Sequence, residues 1–222
     1  MSISKQITVL ITQIFFCAVC FAQREQIDSL KKILPSLHDS ARVDCLNELS
    51  DIYLKFIPPK RPVTNRNIVD TAAKYAALAY EEAIKINYIH GRAESLSYKG
   101  EIENISDNFL AQEKLSLEAI ALYKKTSNKK RLAETYWNLG QSLYAQSFFA
   151  EAIKNLDTAY AWYIKSGKVS GRYWGLSTAI YMESGNYEKA FELARKGLDI
   201  AIQNKDDYFK RWQLSKIRKP KI

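Results

Sequence analysis

Histidine is almost missing from this chain, with His38 and His90 its only two among 222 residues. Cysteine is nearly as scarce: Cys17, Cys20 and Cys45 make three. That leaves no material for a disulfide scaffold or a metal cage. Eight glycines and five prolines exclude collagen-like or Gly/Pro-rich low-complexity sequence. No G-x-G-x-x-G, P-loop, H-E-x-x-H or G-x-S-x-G is present. Two isolated histidines and single thiols support neither a Cys–His pair nor a metal ligand set. Carboxylates are plentiful, but no pair stands out for acid/base work. The residues read as non-enzymatic, with no cofactor and no metal.

What is present is 47% hydrophobic and 26% charged, too apolar and too mixed in charge for a disordered chain. The formal charge is +9, from 33 Lys and Arg against 24 Asp and Glu. Such a surplus suits nucleic acid, a membrane surface or an acidic partner, so its placement matters.

Met1–Ala22 has the layout of a secretory signal peptide. Lys5 is followed by an apolar run from Ile7 to Phe21, and Cys20 and Ala22 supply small residues at the cleavage site. The rival reading is an uncleaved anchor, but the run of about 15 residues falls short of the roughly 20 that span a bilayer. The expectation is export to the periplasm or cell envelope. Cys45 then remains as the lone thiol, inside the apolar-periodic stretch Val43–Tyr53 and read as a small buried hydrophobe.

The rest repeats. Gly100 to Gly140 and Phe109 to Phe149 are each 40 residues apart. Phe149 to Tyr187, Ala152 to Ala190 and Tyr136 to Trp174 are each 38 apart. Each unit has a first helix with a large residue, a small one four later and an apolar one three on (Tyr136, Gly140, Leu143). A turn follows, Gln146-Ser147 in one unit and Ser184-Gly185-Asn186 in the next. A second helix then opens on an aromatic and an alanine. Small residues let two helices approach; large ones fill the gaps beside them. A returning mid-helix glycine, which costs about 1 kcal/mol against alanine, points to a packing need.

Tyr136-x₂-Leu139-Gly140-x₂-Leu143, then Ala152, Leu156 and Ala159, resembles the tetratricopeptide repeat (TPR) signature. Trp174, Tyr181, Gly185, Tyr187, Ala190 and Ala194 repeat the resemblance, with Thr178 in place of the first glycine. The period exceeds the family's 34 residues. Upstream, Leu96, Gly100 and Phe109 open a unit in which Gln112 replaces the usual alanine. Earlier still, Leu46, Leu49 and Tyr53 mark a first helix, and Ala73, Ala77 and Tyr80 a second.

The organisation expected is a leader over 1–22 and an amino-terminal helix over 23–40, with Ile27, Leu30, Ile33 and Leu34 on one face. About four hairpins follow over 41–206, with a proline-rich insertion at 57–67. An incomplete repeat over 207–222 begins at Trp212, 38 residues after Trp174. The resemblance implies an all-α fold, an α-α superhelix built as a TPR-like solenoid of antiparallel helical hairpins. If the tail caps the array, Trp212 is buried against the helix bearing Ala190–Ala201.

The resemblance further implies a concave groove lined by first-helix residues one, five and eight places after the large landmark. The first unit then offers Asn47, Asp51 and Leu54, and the second Ser97, Glu101 and Asn104. The third offers Trp137, Gln141 and Tyr144, and the fourth Gly175, Ala179 and Met182. Two places before each landmark lie Asp44, Glu94, Glu134 and Arg172. The first half of this set is acidic and the second aromatic or apolar. Relatives that clamp a carboxyl-terminal peptide use Lys, Asn and Arg there, and only Asn47 agrees. The expected partner is a protein or peptide segment, basic or neutral rather than acidic, anchored near Trp137 and Tyr144. The competing reading makes the carboxylates a solvated helix face and Trp137 core.

Two functions remain open: an exported scaffold that binds another envelope protein, or a stand-alone sensory input module. The second rests on likeness to exported arrays of Bacteroidetes-like sensor kinases and transcription regulators. Nucleic acid is not expected as a partner, because the surplus charge sits in the tail. Six basic residues and no acid lie in Tyr208–Ile222, while Gln23–Asp207 carries 26 basic against 24 acidic residues. The tail can touch anionic lipid or stay solvated. Oligomeric state is open.

Overall fold

The computed structural model describes residues 23–57, 66–166 and 172–203, together with 205, 210, 211 and 214. The expected leader, most of the proline-rich insertion and Trp212 lie outside these. The described residues form helices α1 (23–33), α2 (Asp39–Lys55), α3 (Arg66–Lys85), α4 (Ile89–Ile105) and α5 (Phe109–Tyr123). They continue as α6 (Lys129–Ala145), α7 (Phe149–Lys165), α8 (Arg172–Glu183) and α9 (Tyr187–Gln203). Among the described residues there is no strand, and no helix is long and apolar enough to cross a membrane. The contacts fall into two compact units that divide after Ile102.

In the first unit, α2 packs along α3. Val43 and Leu46 meet Ala79 and Ala83, and these four are fully buried. The buried alanines of α3 are Ala72, Ala76, Ala79 and Ala83, spaced for one narrow stripe. Ala73, Ala77 and Tyr80 sit one residue off that stripe and are half-buried. The sequence register of α3 is corrected by one residue, which on a helix is a turn of 100°.

Helix α1 covers the open side of α2. Ile27 is buried against Cys45, Leu49 and Ile52, with Leu30 and Leu34 beside it. Lys31 lies over the Tyr53 ring, Gln26 Nε2 donates to Glu48 Oε1, and Arg42 donates to the Leu34 carbonyl while pairing with Glu82. Ile33 does not share the packed face; it is 44% exposed. Pro35 lies in a 3-10 turn, Leu34–Ser36, which takes over from the helix because proline lacks the N–H that would continue it.

In the second unit, α5 packs on α6, α6 on α7, α7 on α8 and α8 on α9. At Gly140 α6 lies close against α7: a Cβ there would lie 2.9 Å from Leu156 Cγ and 3.2 Å from the Ala152 carbonyl oxygen. Leu139 and Leu143 on α6 and Ala152, Leu156 and Ala159 on α7 are all buried. Gln112 occupies a fully buried place on α5, its Nε2 donating to the Asn138 carbonyl at 3.1 Å.

One turn recurs through the chain. Phe148 N–H donates to the Leu143 carbonyl and Ser147 N–H to Tyr144; Asn186 donates to Tyr181 and Gly185 to Met182. Tyr88 and Asn108 close the same six-residue loops onto Ala83 and Glu103. Each loop places one residue at positive φ, namely Asn87 (54°), Asp107 (59°), Ser147 (65°) and Gly185 (79°). This is the helix C-terminal motif in which a left-handed residue lets the last carbonyls find donors. Asn128 caps α6 by accepting from Arg131 N–H, and the Asn186 side chain accepts from Lys189 N–H at the start of α9.

Candidate functional site

In the first unit the expected residues separate into two kinds. Asn47 is 1% exposed. Its Nδ2 donates to the Gly91 carbonyl at 3.0 Å, and its Oδ1 accepts from Ser95 Oγ at 3.0 Å. It is therefore corrected from a ligand to a buried link between α2 and α4. Gly91 makes this approach possible, since a Cβ there would stand 2.5 Å from Val43 Cγ1. Leu54 is likewise buried. Asp51, Ser97 and Glu101 are half-buried, and Asp51 is paired with Lys55 at 2.5 Å.

Asp44 is exposed and accepts from the Tyr88 hydroxyl at 3.3 Å. Burial, and then the Asp44 carboxylate, push the Tyr88 phenol up to about 12. Glu94 stands 3.8 Å from His90 Nε2.

In the second unit α6 presents a stripe. Trp137, Gln141 and Tyr144 follow at spacings of four and three, so they share a face. Trp137 and Tyr144 are half-buried and Gln141 is exposed, whereas Leu139, Gly140 and Leu143 are buried. The Tyr144 hydroxyl donates to Glu183 Oε1 at 2.5 Å, joining α6 to the end of α8. Burial, and then that hydrogen bond, push the Tyr144 phenol up to about 12. Glu134, one turn before Trp137, is neutralised by Lys130 and Arg131.

Asn104 lies half-buried on α4. Gly175 is buried and Ala179 half-buried on α8, and Arg172 opens that helix. Met182, with Thr178, Tyr187, Ala190 and Phe191, lines a shallow apolar depression between α8 and α9.

Sequence reasoning missed Glu183 as the Tyr144 partner. It also missed the ring cluster of Tyr160, Tyr173 and Trp174, with centroids 4.4 to 5.2 Å apart. Tyr173 donates to Asp157 Oδ1 at 2.5 Å, and burial and that bond raise its pKa. The aromatic content was visible, but nothing in the chain marks which rings meet. Among the described residues no group of three or more His, Cys, Asp or Glu is placed to hold a metal.

No protein-family model and no curated protein matches the sequence. Solved structures do share its fold. A Rap protein complexed with competence and sporulation factor aligns with a TM-score of 0.72 and 18% identity, over 92% of this chain and 55% of that one. A signal-transduction ATPase with numerous domains and a tetratricopeptide repeat sensor, from Pyrococcus horikoshii, gives 0.73 and 15%, over 90% and 31%. The TPR-like repeats of a putative kinesin light chain from Podosopora anserina give 0.62 and 14%, over 82% and 85%. The chain spans about half the length of the Rap protein. At these identities the likeness is one of fold: all-α, a TPR-like solenoid of antiparallel helical hairpins.

Proposed function

We propose that this chain is a non-enzymatic, exported binding protein that takes a protein or peptide segment on its first-helix faces. The observation that carries the reading is the α6 stripe. Trp137, Gln141 and Tyr144 share one face of α6; Gln141 is exposed, Trp137 and Tyr144 are half-buried aromatics, and the Tyr144 ring lies 6.2 Å from that of Phe149 at the start of α7. Partly exposed aromatic side chains supply large contact area at small entropic cost, which is how binding hot spots are built. In the first unit Asp44, Glu94 and Glu101 lean the candidate face toward a basic or neutral partner, although Asp51 is offset by Lys55. A displayed peptide library panned against the chain tests this. Enriched sequences should carry an apolar or aromatic anchor and no acidic run. Trp137→Ala should weaken the best of them by about tenfold or more. Enrichment of acidic tails, or binding indifferent to Trp137, would sink it.

A second reading, a sensory input module, draws support from the tetratricopeptide repeat sensor of the P. horikoshii protein. Genomic sequence beyond Ile222 decides between them: a transmembrane helix and a kinase or regulator domain in frame, or frameshifted, favours the sensor.

A further inference from the structure

Between Gln23 and Asp207 the charges nearly cancel, yet one stretch does not share that balance. Residues 110–131 hold six basic side chains against two acidic ones, Glu113 and Glu118. Leu110, Lys114, Leu117 and Ala121 follow on α5 at spacings of four, three and four, so they form one stripe. All four are exposed, Leu110 at 77% and Leu117 at 51%. The opposite side of α5 is the packed one, with Gln112, Ser116, Ala119, Ile120 and Tyr123 buried. Beyond Tyr123 the chain continues into exposed Lys124 and Lys125, and α6 opens with exposed Lys129 and Lys130. Lys130 and Arg131 reach Glu134. Lys114, Lys124, Lys125 and Lys129 have no ion-pair partner among the described residues.

Packing explains none of this. A leucine three-quarters exposed gains little from its neighbours. Three cations in the first turn of α6, with no acid there, oppose the positive end of the helix dipole.

We propose that the outer face of α5 and the α5–α6 turn docks on an anionic lipid bilayer. Leu110 and Leu117 enter the boundary between headgroups and acyl chains, while Lys114, Lys124, Lys125 and Lys129 meet lipid phosphates. A protein partner suits the face less well. Interface cores favour contiguous aromatic and Arg-rich surface and are depleted in Lys. Here the two leucines stand two turns apart, about 10 Å along the helix, with Lys114 between them and no aromatic on the stripe. Lysine binds phosphates singly as a point charge, which fits a field of separate headgroups.

The test is cosedimentation of the chain from Gln23, which holds every contact described above, with vesicles of equimolar phosphatidylglycerol and phosphatidylcholine. Pure phosphatidylcholine vesicles are the control. Binding is expected only to the anionic vesicles and should fall steeply with salt. Leu110→Ser with Leu117→Ser, and separately Lys124→Glu with Lys125→Glu, should each weaken it by about tenfold or more. Lys124→Arg with Lys125→Arg should retain it. Circular dichroism confirms that these exposed-site variants fold. Gln in place of Lys216, Arg218, Lys219 and Lys221 in the tail should leave binding within about twofold of the parent. The proposal is overturned if neither vesicle is bound, if both are bound alike, or if the α5 variants bind as the parent does. It is equally overturned if only the tail variant loses binding.

Discussion

Asn47 on α2 donates its side-chain amide hydrogen to the Gly91 carbonyl on α4, 3.0 Å away, in a place where Asn47 is 1% exposed. Its carbonyl oxygen accepts from Ser95, so both ends of the amide are used. Asn47→Ala removes the buried amide donor to the Gly91 carbonyl and opens a void between the helices, while the Ser95 hydroxyl keeps the Gly91 carbonyl as acceptor at 2.7 Å. The expected cost is about 1–3 kcal/mol, read as a lower urea midpoint. A midpoint equal to the parent's would mean that the amide is not a structural link.

Gly140 and Leu156 are the second such pair. Alanine at Gly140 gains about 1 kcal/mol of helix propensity but places its Cβ 2.9 Å from Leu156 Cγ, the branch point of a fully buried side chain. The clash should cost about 1–3 kcal/mol, so Gly140→Ala is expected to fall between neutral and about 2 kcal/mol destabilising overall. Adding Leu156→Ala removes the obstructing atoms. The double variant should therefore lose measurably less stability than the two single losses added together. Strict additivity would show that the contact relaxes freely.

Ser147 holds φ at 65° in the turn where α6 ends, while the matching turn after α8 uses Gly185 at 79°. A residue with a Cβ pays about 1–2 kcal/mol for the left-handed conformation, and glycine pays little. Ser147→Gly should raise stability by about 1 kcal/mol, and Gly185→Ser should lower it by a similar amount. Thermal melts of the pair decide the matter: shifts of the same sign would contradict the turn assignment.

These pairs also mark what the sequence made visible. The hairpins were legible because their landmarks are buried contacts: Gly140 returns at a fixed spacing since α7 lies against it, and Ala152 and Ala190 recur since each is buried on its second helix. The α3 register was not, because the pairs Ala72-Ala73 and Ala76-Ala77 suit two adjacent faces equally. The resemblance puts Asn47 in the groove because it stands one place after the Leu46 landmark. The groups that satisfy it, Gly91 and Ser95, are 44 and 48 residues away. The resemblance picks out Trp137, Gln141 and Tyr144, and their spacing puts them on one face of α6; Tyr144 meets Phe149 there much as Met182 lies beside Tyr187 on α9. The lysines around the α5–α6 turn vanished in a charge balance taken over the whole body, since a sum carries no position.

The link from Tyr144 to Glu183 makes a prediction about alkaline pH. In the unfolded chain these phenols lose their protons near the ordinary value of 10.0; in the folded chain Tyr144 and Tyr88 are held up to about 12, by burial first and a carboxylate second. Tyr173 is raised for the same reasons. Between those values the unfolded state binds fewer protons than the folded one, so stability falls as pH rises. The contribution is complete below about pH 10 and is lost progressively toward 12. Urea midpoints measured across that window should therefore decline. Tyrosinate absorbance of the folded chain should rise in two phases, the late one belonging to the buried phenols. Tyr144→Phe removes the hydroxyl and one late phenol. It should lower stability at neutral pH, where the Tyr144–Glu183 bond is intact, and flatten the decline above pH 10. A decline as steep as the parent's would mean that Tyr144 titrates alike in both states and that its bond to Glu183 does not hold α6 to α8.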